Sequence, residues 1–272
     1  MLEGKKWERR VDMDSEAIRR AALLIRSCWE GRRRIAALPE DCRPKRLRDG
    51  YEIQAALEPL HGPTIGWKIA ATSKAGQQHI GVDGPLAGRL FKRFAQGDGA
   101  LLPAGHLHMR VAEAEFAFKM ARDLPPRTDP YSQDEVMEAV DTLHLAIEVP
   151  DSRYEDFVTI GAPSLVADDS CAAYFVLGAE ARDWRAVDLP AHKVSARKNG
   201  AVVAEGSGAN VLGDPRGALA WIANDLHSRG DFLRAGEVIT TGTCVKPVPI
   251  APGDVVVMDF GALGTVKVSF TE

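Results

Sequence analysis

The stretch from Val111 to Phe118 reads Val-Ala-Glu-Ala-Glu-Phe-Ala-Phe and carries two carboxylates in an otherwise apolar run. It shows no helical stripe, and its aromatic and small residues suit a strand inside a packed sheet. Side chains two apart in a strand point to the same face, so Glu113 and Glu115 would project side by side. Such a pair is unfavourable in a low dielectric unless one group binds a proton or a cation lies between them. The stretch therefore predicts a sheet and, on it, a site for a hard divalent cation.

A third carboxylate, Glu148, lies in the apolar run from Leu145 to Val149, where a strand would meet a loop. Two strands that carry acidic residues can place three carboxylates around one metal ion. Three monodentate carboxylates leave coordination positions open for water or substrate, which is typical of Mg²⁺ and Mn²⁺ sites. Alternatively, Glu113 and Glu115 form the solvated face of an edge strand. The local pattern alone leaves both interpretations open.

Lys68 is the candidate for proton transfer. It lies in the apolar sequence Gly66-Trp67-Lys68-Ile69-Ala70, which predicts a strand. Apolar surroundings disfavour the charged form of lysine and bring its pKa toward neutrality, where it can transfer protons. The alternative is a lysine that reaches solvent from a sheet edge along its aliphatic stem.

Length and composition are those of an ordinary globular protein. The chain has 272 residues, 45% hydrophobic and 26% charged, enough for one large domain or a small helical part plus a larger domain. The net charge of -4 is uneven: residues 1–50 hold 14 Lys and Arg against 9 Asp and Glu, a net of +5. The rest, with 20 against 29, has a net of -9. The basic residues alternate with apolar ones at helical spacing, which favours a solvated helix face or a contact with an acidic neighbouring subunit over nucleic-acid binding.

The cysteines and the apolar runs predict a cytoplasmic protein. No Cys-x-x-Cys pair or zinc spacing occurs, so free thiols in a reducing compartment are expected. No apolar run reaches membrane-spanning length, and charges occur throughout the first thirty residues, so neither a membrane span nor a signal peptide is predicted. The cysteines are Cys28, Cys42, Cys171 and Cys244.

The front of the chain predicts helices. Ser15 is expected to cap a helix whose apolar stripe ends at Gly31, and a second helix is expected over Leu47–Leu57. After the strand at Lys68, a short helix over Ser73–Gln78 and a loop over Gly81–Gly88 are predicted. Residues 95–105, rich in Gly and Ala, indicate a connection.

The second half of the chain predicts mostly strands. Ser132 to Glu135 has the spacing of a capping box and opens a helix expected to run to about Thr142. Asp214-Pro215 starts a second helix. Helices in front and strands behind favour an α+β fold with a closed β-roll or sandwich, divided into a helical cap over 1–62 and a catalytic β-roll domain over 63–272. Further strands are predicted at about 143–149, 173–178, 192–198, 201–204, 238–241, 255–260 and 266–270.

These motifs, in this order, resemble the fumarylacetoacetate hydrolase superfamily, in particular its branch of 2-keto-4-pentenoate hydratases and 4-oxalocrotonate decarboxylases. The resemblance covers nearly the whole chain. The matching stretches are Arg43-Pro44, Tyr51–Gln54, Gly66–Ile69, Thr72–Lys74, Gly81–Asp83, Glu113–Glu115, Glu148, Asp151–Arg153, Asn199-Gly200, Gly213–Pro215, Ala220–Asn224 and Gly236–Gly242.

The resemblance implies a role for each of these site residues. Mg²⁺ or Mn²⁺ would be held by Glu113, Glu115 and Glu148, and Lys68, beside the substrate, would take part in proton transfer. Ser170, the closest match to a family serine that follows an Asp-Asn pair, would contact the ligand. We also predict substrate binding by Thr243 and Arg153. The implied fold is a small N-terminal helical part on a mixed β-roll, in a homo-oligomer.

Two positions depart from the family pattern. Many hydratases have an acidic residue where this chain has Leu86 after Pro85, and Asp168-Asp169 stands where Asp-Asn is usual. The expected function is a metal-dependent hydratase of a 2-hydroxy-2,4-dienoate or 2-oxo-alkenoate in the degradation of aromatic compounds. A decarboxylase or C–C hydrolase of the superfamily, or a non-enzymatic metal-binding partner of such an enzyme, remain alternatives. The expected partners are a small 2-oxo acid and further copies of the chain or a related decarboxylase or hydratase, with no nucleic acid and no membrane.

Overall fold

A computed structural model describes residues 13–272. Three α-helices precede the first strand, and each later α-helix lies by itself between two strands. The N-cap of the first helix is Asp14, so the prediction of Ser15 was wrong by one residue, although the apolar stripe to Gly31 is confirmed. The α-helices are α1 Ser15–Glu30, α2 Leu47–Ala55, α3 Glu58–His61, α4 Lys74–His79, α5 Gln133–Glu138, α6 Ala162–Ala167 and α7 Pro215–Ser228.

Thirteen strands form two sheets within the described residues. The strands are β1 Thr64–Ala70, β2 Leu86–Phe91, β3 Ala95–Gly97, β4 Ala100–Pro103, β5 Val111–Met120, β6 Val140–Val149, β7 Tyr174–Glu180, β8 Lys193–Lys198, β9 Ala201–Ser207, β10 Val238–Thr243, β11 Val248–Pro249, β12 Val255–Asp259 and β13 Thr265–Thr271. The larger sheet has the order β2-β1-β10-β5-β6-β7-β3, with β11 paired to β5, and the smaller one the order β4-β13-β12-β8-β9. Parallel and antiparallel pairs occur in both sheets, and the α+β expectation is confirmed.

Strand alternation separates two faces of the larger sheet. Trp67 and Ile69 on β1, and Phe116 and Phe118 on β5, enter the main hydrophobic core. Side chains of α7 and of the inner face of the smaller sheet also pack into that core. The opposite face carries Lys68 and the acidic residues of β5, so one sheet serves both stability and the candidate site.

Three local predictions were wrong because tertiary pairing determines these segments. The predicted loop over Gly81–Gly88 gives way to β2 at Leu86, which pairs with Ala70. The predicted connection over 95–105 contains β3 and β4, each paired in parallel to a later strand. The helix expected to reach Thr142 ends at Glu138, because β6 already begins at Val140.

Several other local predictions are confirmed. Ser132 and Glu135 form the capping box of α5, and Asp214 caps α7 by accepting the Arg216 N–H. All four cysteines are free and buried. None of the helices in residues 13–272 combines the length and the apolar character needed to cross a bilayer.

The helical part packs on the β-roll through a second hydrophobic cluster. Ile25, Ile53 and Leu57 contribute from α1 and α2 or their ends, and Phe91 and Tyr154 contribute from the roll side. The first strand begins two residues after the predicted boundary at 62. The division into two domains stays a prediction.

Candidate metal centre

Three carboxylates meet on one face of the larger sheet. The antiparallel register of β5 and β6 places Glu113 directly opposite Glu148, and Glu115 follows two residues along β5. Each of the three offers an oxygen within 4.8 Å of the others. Because β5 lies between β10 and β6 and Glu115 and Glu148 are each only 1% exposed, the solvated-edge interpretation was wrong.

The protein provides few partners for these buried charges. Burial and the neighbouring charge of Glu115 raise the pKa of Glu113 to about 7, despite Lys68 nearby. Burial also raises the pKa of Glu148 well above its usual value, and Lys68 offsets this only in part. Neither carboxylate oxygen of Glu148 has a hydrogen-bond partner. Glu115 accepts one backbone hydrogen bond, from the Gly242 N–H at 2.8 Å.

A hard divalent cation fits this arrangement. Orphaned carboxylate oxygens in a buried site are costly, and an ion coordinated by all three groups would remove both the repulsion and the missing contacts. Glu113 is partly exposed, which leaves a route from solvent to the cluster. The carboxylate donor set suits a hard divalent cation better than a soft metal.

Lys68 lies against this cluster. Its Nζ is 3.3 Å from Oε1 of Glu148 and donates a hydrogen bond to the Ser170 carbonyl at 3.0 Å. The side chain is 5% exposed and β1 is an inner strand, so the solvent-reaching alternative was wrong. Burial lowers the pKa of Lys68, as the sequence predicted, but the charges of Glu148 and Glu113 outweigh it and the net direction is upward. Lys68 is therefore an ammonium in the metal-free protein.

A left-handed turn presents Ser170 to Lys68. Asp169, Ser170 and Cys171 have φ values of 53°, 50° and 61°. This conformation costs about 1–2 kcal/mol for each residue other than glycine. The turn directs the Ser170 carbonyl at Lys68, and the Ser170 hydroxyl donates to the Ala87 carbonyl at 2.8 Å. Strain of this kind concentrates at functional sites. The expected contact of Ser170 with the ligand stays a prediction.

Asp169, one of the two departures from the family pattern, has a defined partner. Its Oδ1 accepts the Arg89 N–H at 2.7 Å, a bond that the amide oxygen of an asparagine can also accept. Burial raises the pKa of Asp169 to about 7, against the lowering effect of this backbone bond. The replacement keeps the hydrogen-bond acceptor and adds an ionisable group beside Ser170.

Thr243 and Gly242 lie at the end of β10 next to Glu115. Thr243 pairs with Glu115 across the strands and donates its hydroxyl to the Val245 carbonyl at 2.7 Å. Gly242 has a φ of 104°, and a Cβ there would lie 1.9 Å from Oγ1 of Thr72. Only glycine fits, and its N–H holds Glu115. Sequence reasoning missed this contact, although the Thr-Thr-Gly-Thr run that ends β10 marks the position.

Arg153 is engaged elsewhere. Its guanidinium donates to the carboxylate and the carbonyl of Asp168 and to the Ala172 carbonyl at 2.9 Å. It also lies over the ring of Trp29, 4.9 Å from the centroid. No hydrogen bond or ion pair in the described part of the chain joins it to the three glutamates. Its predicted role in substrate binding stays a prediction, and its contacts are those of a structural residue.

Comparison with known proteins agrees with this geometry. The family model of the fumarylacetoacetate hydrolase C-terminal domain matches residues 91–271. The chain is 34% identical to a 2-keto-4-pentenoate hydratase of Burkholderia vietnamiensis over 95% of this chain and 99% of that protein. It is also 34% identical to a 4-oxalocrotonate decarboxylase of a Pseudomonas strain, over 81% of this chain and 82% of the other.

Solved structures show the same fold. The 4-oxalocrotonate decarboxylase of Pseudomonas putida, complexed with magnesium and adipate, superposes with a TM-score of 0.86 at 31% identity, over 97% of this chain and 100% of that one. The fumarylacetoacetate hydrolase of Exiguobacterium antarcticum shares the fold at 21% identity and a TM-score of 0.55, over 77% and 75% of the two chains. The expected helical part on a mixed β-roll is thereby confirmed, and the chain belongs to the fumarylacetoacetate hydrolase family.

Proposed function

We propose that the chain is a divalent-metal-dependent hydratase that adds water to a 2-hydroxy-2,4-dienoate or 2-oxo-alkenoate in the degradation of aromatic compounds. One observation carries the proposal: three clustered carboxylates, two of them buried and one of these two without any hydrogen bond, lie against the buried ammonium of Lys68. The relatives named 2-keto-4-pentenoate hydratase and 2-hydroxyhexa-2,4-dienoate hydratase, at 34% and 33% identity, support this reaction.

The reaction needs a group that transfers protons and a site that stabilises the enolate form of the substrate. Mg²⁺ or Mn²⁺ bound by Glu113, Glu115 and Glu148 would supply Lewis-acid stabilisation of the negative charge on the substrate's 2-oxygen. In the overall change the dienol loses its hydroxyl proton and gains one at C5, which yields the α,β-unsaturated 2-oxo acid. Water then adds its oxygen at C4, and a proton ends at C3. Lys68, which lies against the three glutamates, would transfer the protons at the 2-oxygen and at C3.

The surroundings of Lys68 suit this role. The carboxylates that raise its pKa are the same groups that would hold the cation. Neutralising them would bring the pKa of Lys68 back toward the value that burial favours. The Ser170 carbonyl fixes the position of Nζ by accepting its hydrogen bond. The metal-loaded site would therefore contain a lysine that releases its proton more readily than the metal-free one.

Product analysis with metal control tests the proposal. We expect the protein with Mg²⁺ to convert 2-hydroxypenta-2,4-dienoate to 4-hydroxy-2-oxopentanoate, and EDTA to abolish the reaction. Lys68→Met should lower kcat by about 10²–10⁴-fold while Mg²⁺ binding persists. Lys267→Met, at an exposed lysine on β13 outside the motifs shared with the family, is the matched control and should keep wild-type kcat. Full activity of a Glu113→Ala/Glu115→Ala variant in EDTA would contradict the proposal.

A decarboxylase is the second candidate, favoured by a specific observation. The chain covers the whole of the 4-oxalocrotonate decarboxylase structure with a TM-score of 0.86, and Leu86 removes the loop carboxylate expected of many hydratases. The same enolate would form by loss of CO₂ from a vinylogous 2-oxo acid. Release of CO₂ from 4-oxalocrotonate, with no hydration of the pentadienoate, would identify this activity.

The assembly also remains a proposal. We propose that the chain forms a homo-oligomer. Because its relatives include decarboxylases, we also propose that it can form a complex with a related enzyme. Light scattering of the purified chain, alone and with a related decarboxylase or hydratase, would measure both. The three glutamates and Lys68 lie together as catalysis requires, which favours an enzyme over a partner that only binds metal.

A further inference from the structure

The outer edge of β2 holds the left-handed turn that contains Ser170. β2 ends the strand order of the larger sheet within the described residues, so its backbone can bond to groups other than a second neighbouring strand. The Ala87 carbonyl accepts the Ser170 hydroxyl at 2.8 Å. The Arg89 N–H donates to the carboxylate of Asp169 at 2.7 Å. The turn is therefore attached to β2 at two points.

Two side chains of α2 hold the same residue of β2. The side-chain amide of Gln54 donates to the Ala87 carbonyl at 2.9 Å, and the Tyr51 hydroxyl accepts the Ala87 N–H at 3.2 Å. The Gln54 amide also donates to the Val166 carbonyl, near the end of α6, at 3.2 Å. Gln54 is 1% exposed, so these bonds lie in a low dielectric, where they are stronger than in water. The helical part therefore fixes both the strand that holds the turn and the helix that leads into it.

The position of β2 also limits where the stem of Lys68 can lie. Gly88, the residue after Ala87, is the cross-strand partner of Lys68. A Cβ at Gly88 would lie 3.0 Å from Cγ and 3.1 Å from Cδ of Lys68, and 2.5 Å from the Asp169 carbonyl oxygen. The backbone of β2 is thus packed against both the lysine stem and the turn. A shift of β2 would displace both ends of the hydrogen bond from Nζ to the Ser170 carbonyl.

We propose that Gln54, assisted by Tyr51, is a positioning residue for the reaction. By holding Ala87 from the helical part, it fixes β2 and the turn, and through the Ser170 carbonyl it fixes Nζ of Lys68. The inference rests on the proposed function, since it takes proton transfer as the task of Lys68. Loss of the amide would leave the three glutamates in place and let Nζ move away from the geometry that proton transfer requires.

Gln54→Met tests the proposal, because methionine fills a similar volume and has no N–H donor. We expect kcat for 2-hydroxypenta-2,4-dienoate to fall about 10–100-fold, with KM and the Kd for Mg²⁺ within about twofold of wild type. Gln96→Met, at an exposed glutamine on β3, is the matched control and should leave kcat unchanged. An unchanged kcat in Gln54→Met would overturn the inference.

A second variant acts on the same residue of β2 with less effect on packing. Tyr51→Phe removes the hydroxyl that accepts the Ala87 N–H and keeps the ring, whose centroid lies 3.6 Å from Cζ of Arg229. Loss of one neutral hydrogen bond should lower kcat about 3–10-fold without a change in KM. If Gln54→Met does not fold, this variant decides: a wild-type kcat would overturn the inference.

The Lys68→Met background separates positioning from a general structural defect. If Gln54 acts through Lys68, adding Gln54→Met to Lys68→Met should lower the residual kcat by less than about twofold, because the group that Gln54 positions is absent. A defect of the whole fold would lower kcat by the same factor in both backgrounds. Equal factors would therefore contradict the inference.

Proton exchange separates failure of the inference from failure of the proposed function. 2-Oxopentanoate has the chelating end of the substrate and protons at C3 but no double bond, so NMR in D₂O with Mg²⁺ reports proton transfer without hydration. Slower exchange in Gln54→Met, with no hydration of the dienoate by wild type, would support the inference and overturn the hydratase. Unchanged exchange in this variant, with hydration by wild type intact, would overturn the inference and leave the hydratase. A wild type that catalyses neither process would overturn both.

Discussion

Two buried charged regions lie close together in this molecule and are built in opposite ways. Around Arg153, every guanidinium nitrogen donates to Asp168 or Ala172, and Asp168 accepts the Ser152 hydroxyl at 2.8 Å as well. At the metal centre, Glu148 has no hydrogen bond and Glu115 has one from the backbone. Both regions contain carboxylates of 0–1% exposure.

The difference separates a structural role from a functional one. A fully satisfied buried ion pair fixes one conformation, and here it holds the loop after β6 against α1 through Trp29. Glu148, by contrast, has the ammonium of Lys68 at 3.3 Å but no hydrogen bond, so its oxygens remain available to a cation. Burial raises the pKa of Asp168 as well as those of Glu113 and Glu148, so the hydrogen-bond partners and not the pKa direction distinguish the two regions. Burial alone therefore does not identify a functional residue, whereas a cluster of carboxylates with missing hydrogen-bond partners indicates a ligand site.

Glu148→Gln should give the largest effect. Loss of one ligand removes the bound cation, which supplies several kcal/mol of transition-state stabilisation, so kcat/KM should fall at least about 10³-fold. The metal-free protein should unfold at nearly the same urea concentration as wild type, because relief of the repulsion among the glutamates offsets the loss of the ion pair with Lys68. Glu138→Gln, at an exposed residue on α5, is the matched control and should change neither quantity. A large loss of metal-free stability in Glu148→Gln would show that this carboxylate is structural.

Arg153→Met should show the reverse pattern. It leaves Asp168 buried and unpaired, which costs about 3–5 kcal/mol of unfolding free energy in urea titrations. Mg²⁺ binding should persist, because the three glutamates do not contact Arg153.

The double variant Arg153→Met/Asp168→Asn checks the cause. It removes both charges. The side-chain amide oxygen at position 168 can still accept hydrogen bonds from the backbone N–H of position 153 and from the Ser152 hydroxyl. We expect it to be more stable than Arg153→Met alone. Equal or greater destabilisation in the double variant would mean that lost packing on Trp29, rather than an unpaired charge, dominates.

Local sequence rules predicted the metal centre better than they predicted the ion pair of Arg153 with Asp168. The two-residue spacing of Glu113 and Glu115 placed both on one face, because strand periodicity is local. The capping box at Ser132 and the Asp214 cap are equally local, and both are confirmed. The meeting of Glu113 with Glu148 depends on strand register, which spacing alone does not determine. The apolar run around Glu148 made it a candidate third ligand, and the resemblance to a family supported that choice.

The remaining features depend on contacts between distant segments. Arg153 pairs with Asp168, fifteen residues away, and the arginine alone carries no sign of that partner. The upward pKa of Lys68 follows from carboxylates on two other strands, so an apolar local sequence predicted the wrong direction. β3 and β4 exist only because β7 and β13 pair with them. Sequence reasoning failed where the deciding partner is remote.

The smallest predicted effect is the pH dependence of the metal-free protein. The pKa of Glu113 is about 7 in the folded state against an ordinary 4.5. Between these values the unfolded chain has released its proton and the folded chain retains it, so stability falls as pH rises from about 4.5 to 7. Because Mg²⁺ must displace that proton, its stabilising effect should grow over the same window.

Glu113→Gln isolates this contribution from the rest of the chain. His61 contributes with the opposite sign, since burial and Arg93 lower its pKa to about 4 and its protonation destabilises the fold as pH falls below 6.5. His61 is unchanged in the variant, so the difference in Tm between wild type and Glu113→Gln, without metal, should widen with pH in favour of the variant. We expect a change of about 4–8 °C between pH 5 and pH 7.5, equivalent to about 2 kcal/mol for a protein of this size. A difference that stays constant across the window would mean that Glu113 is already ionised at pH 5, with Lys68 rather than a proton compensating its charge.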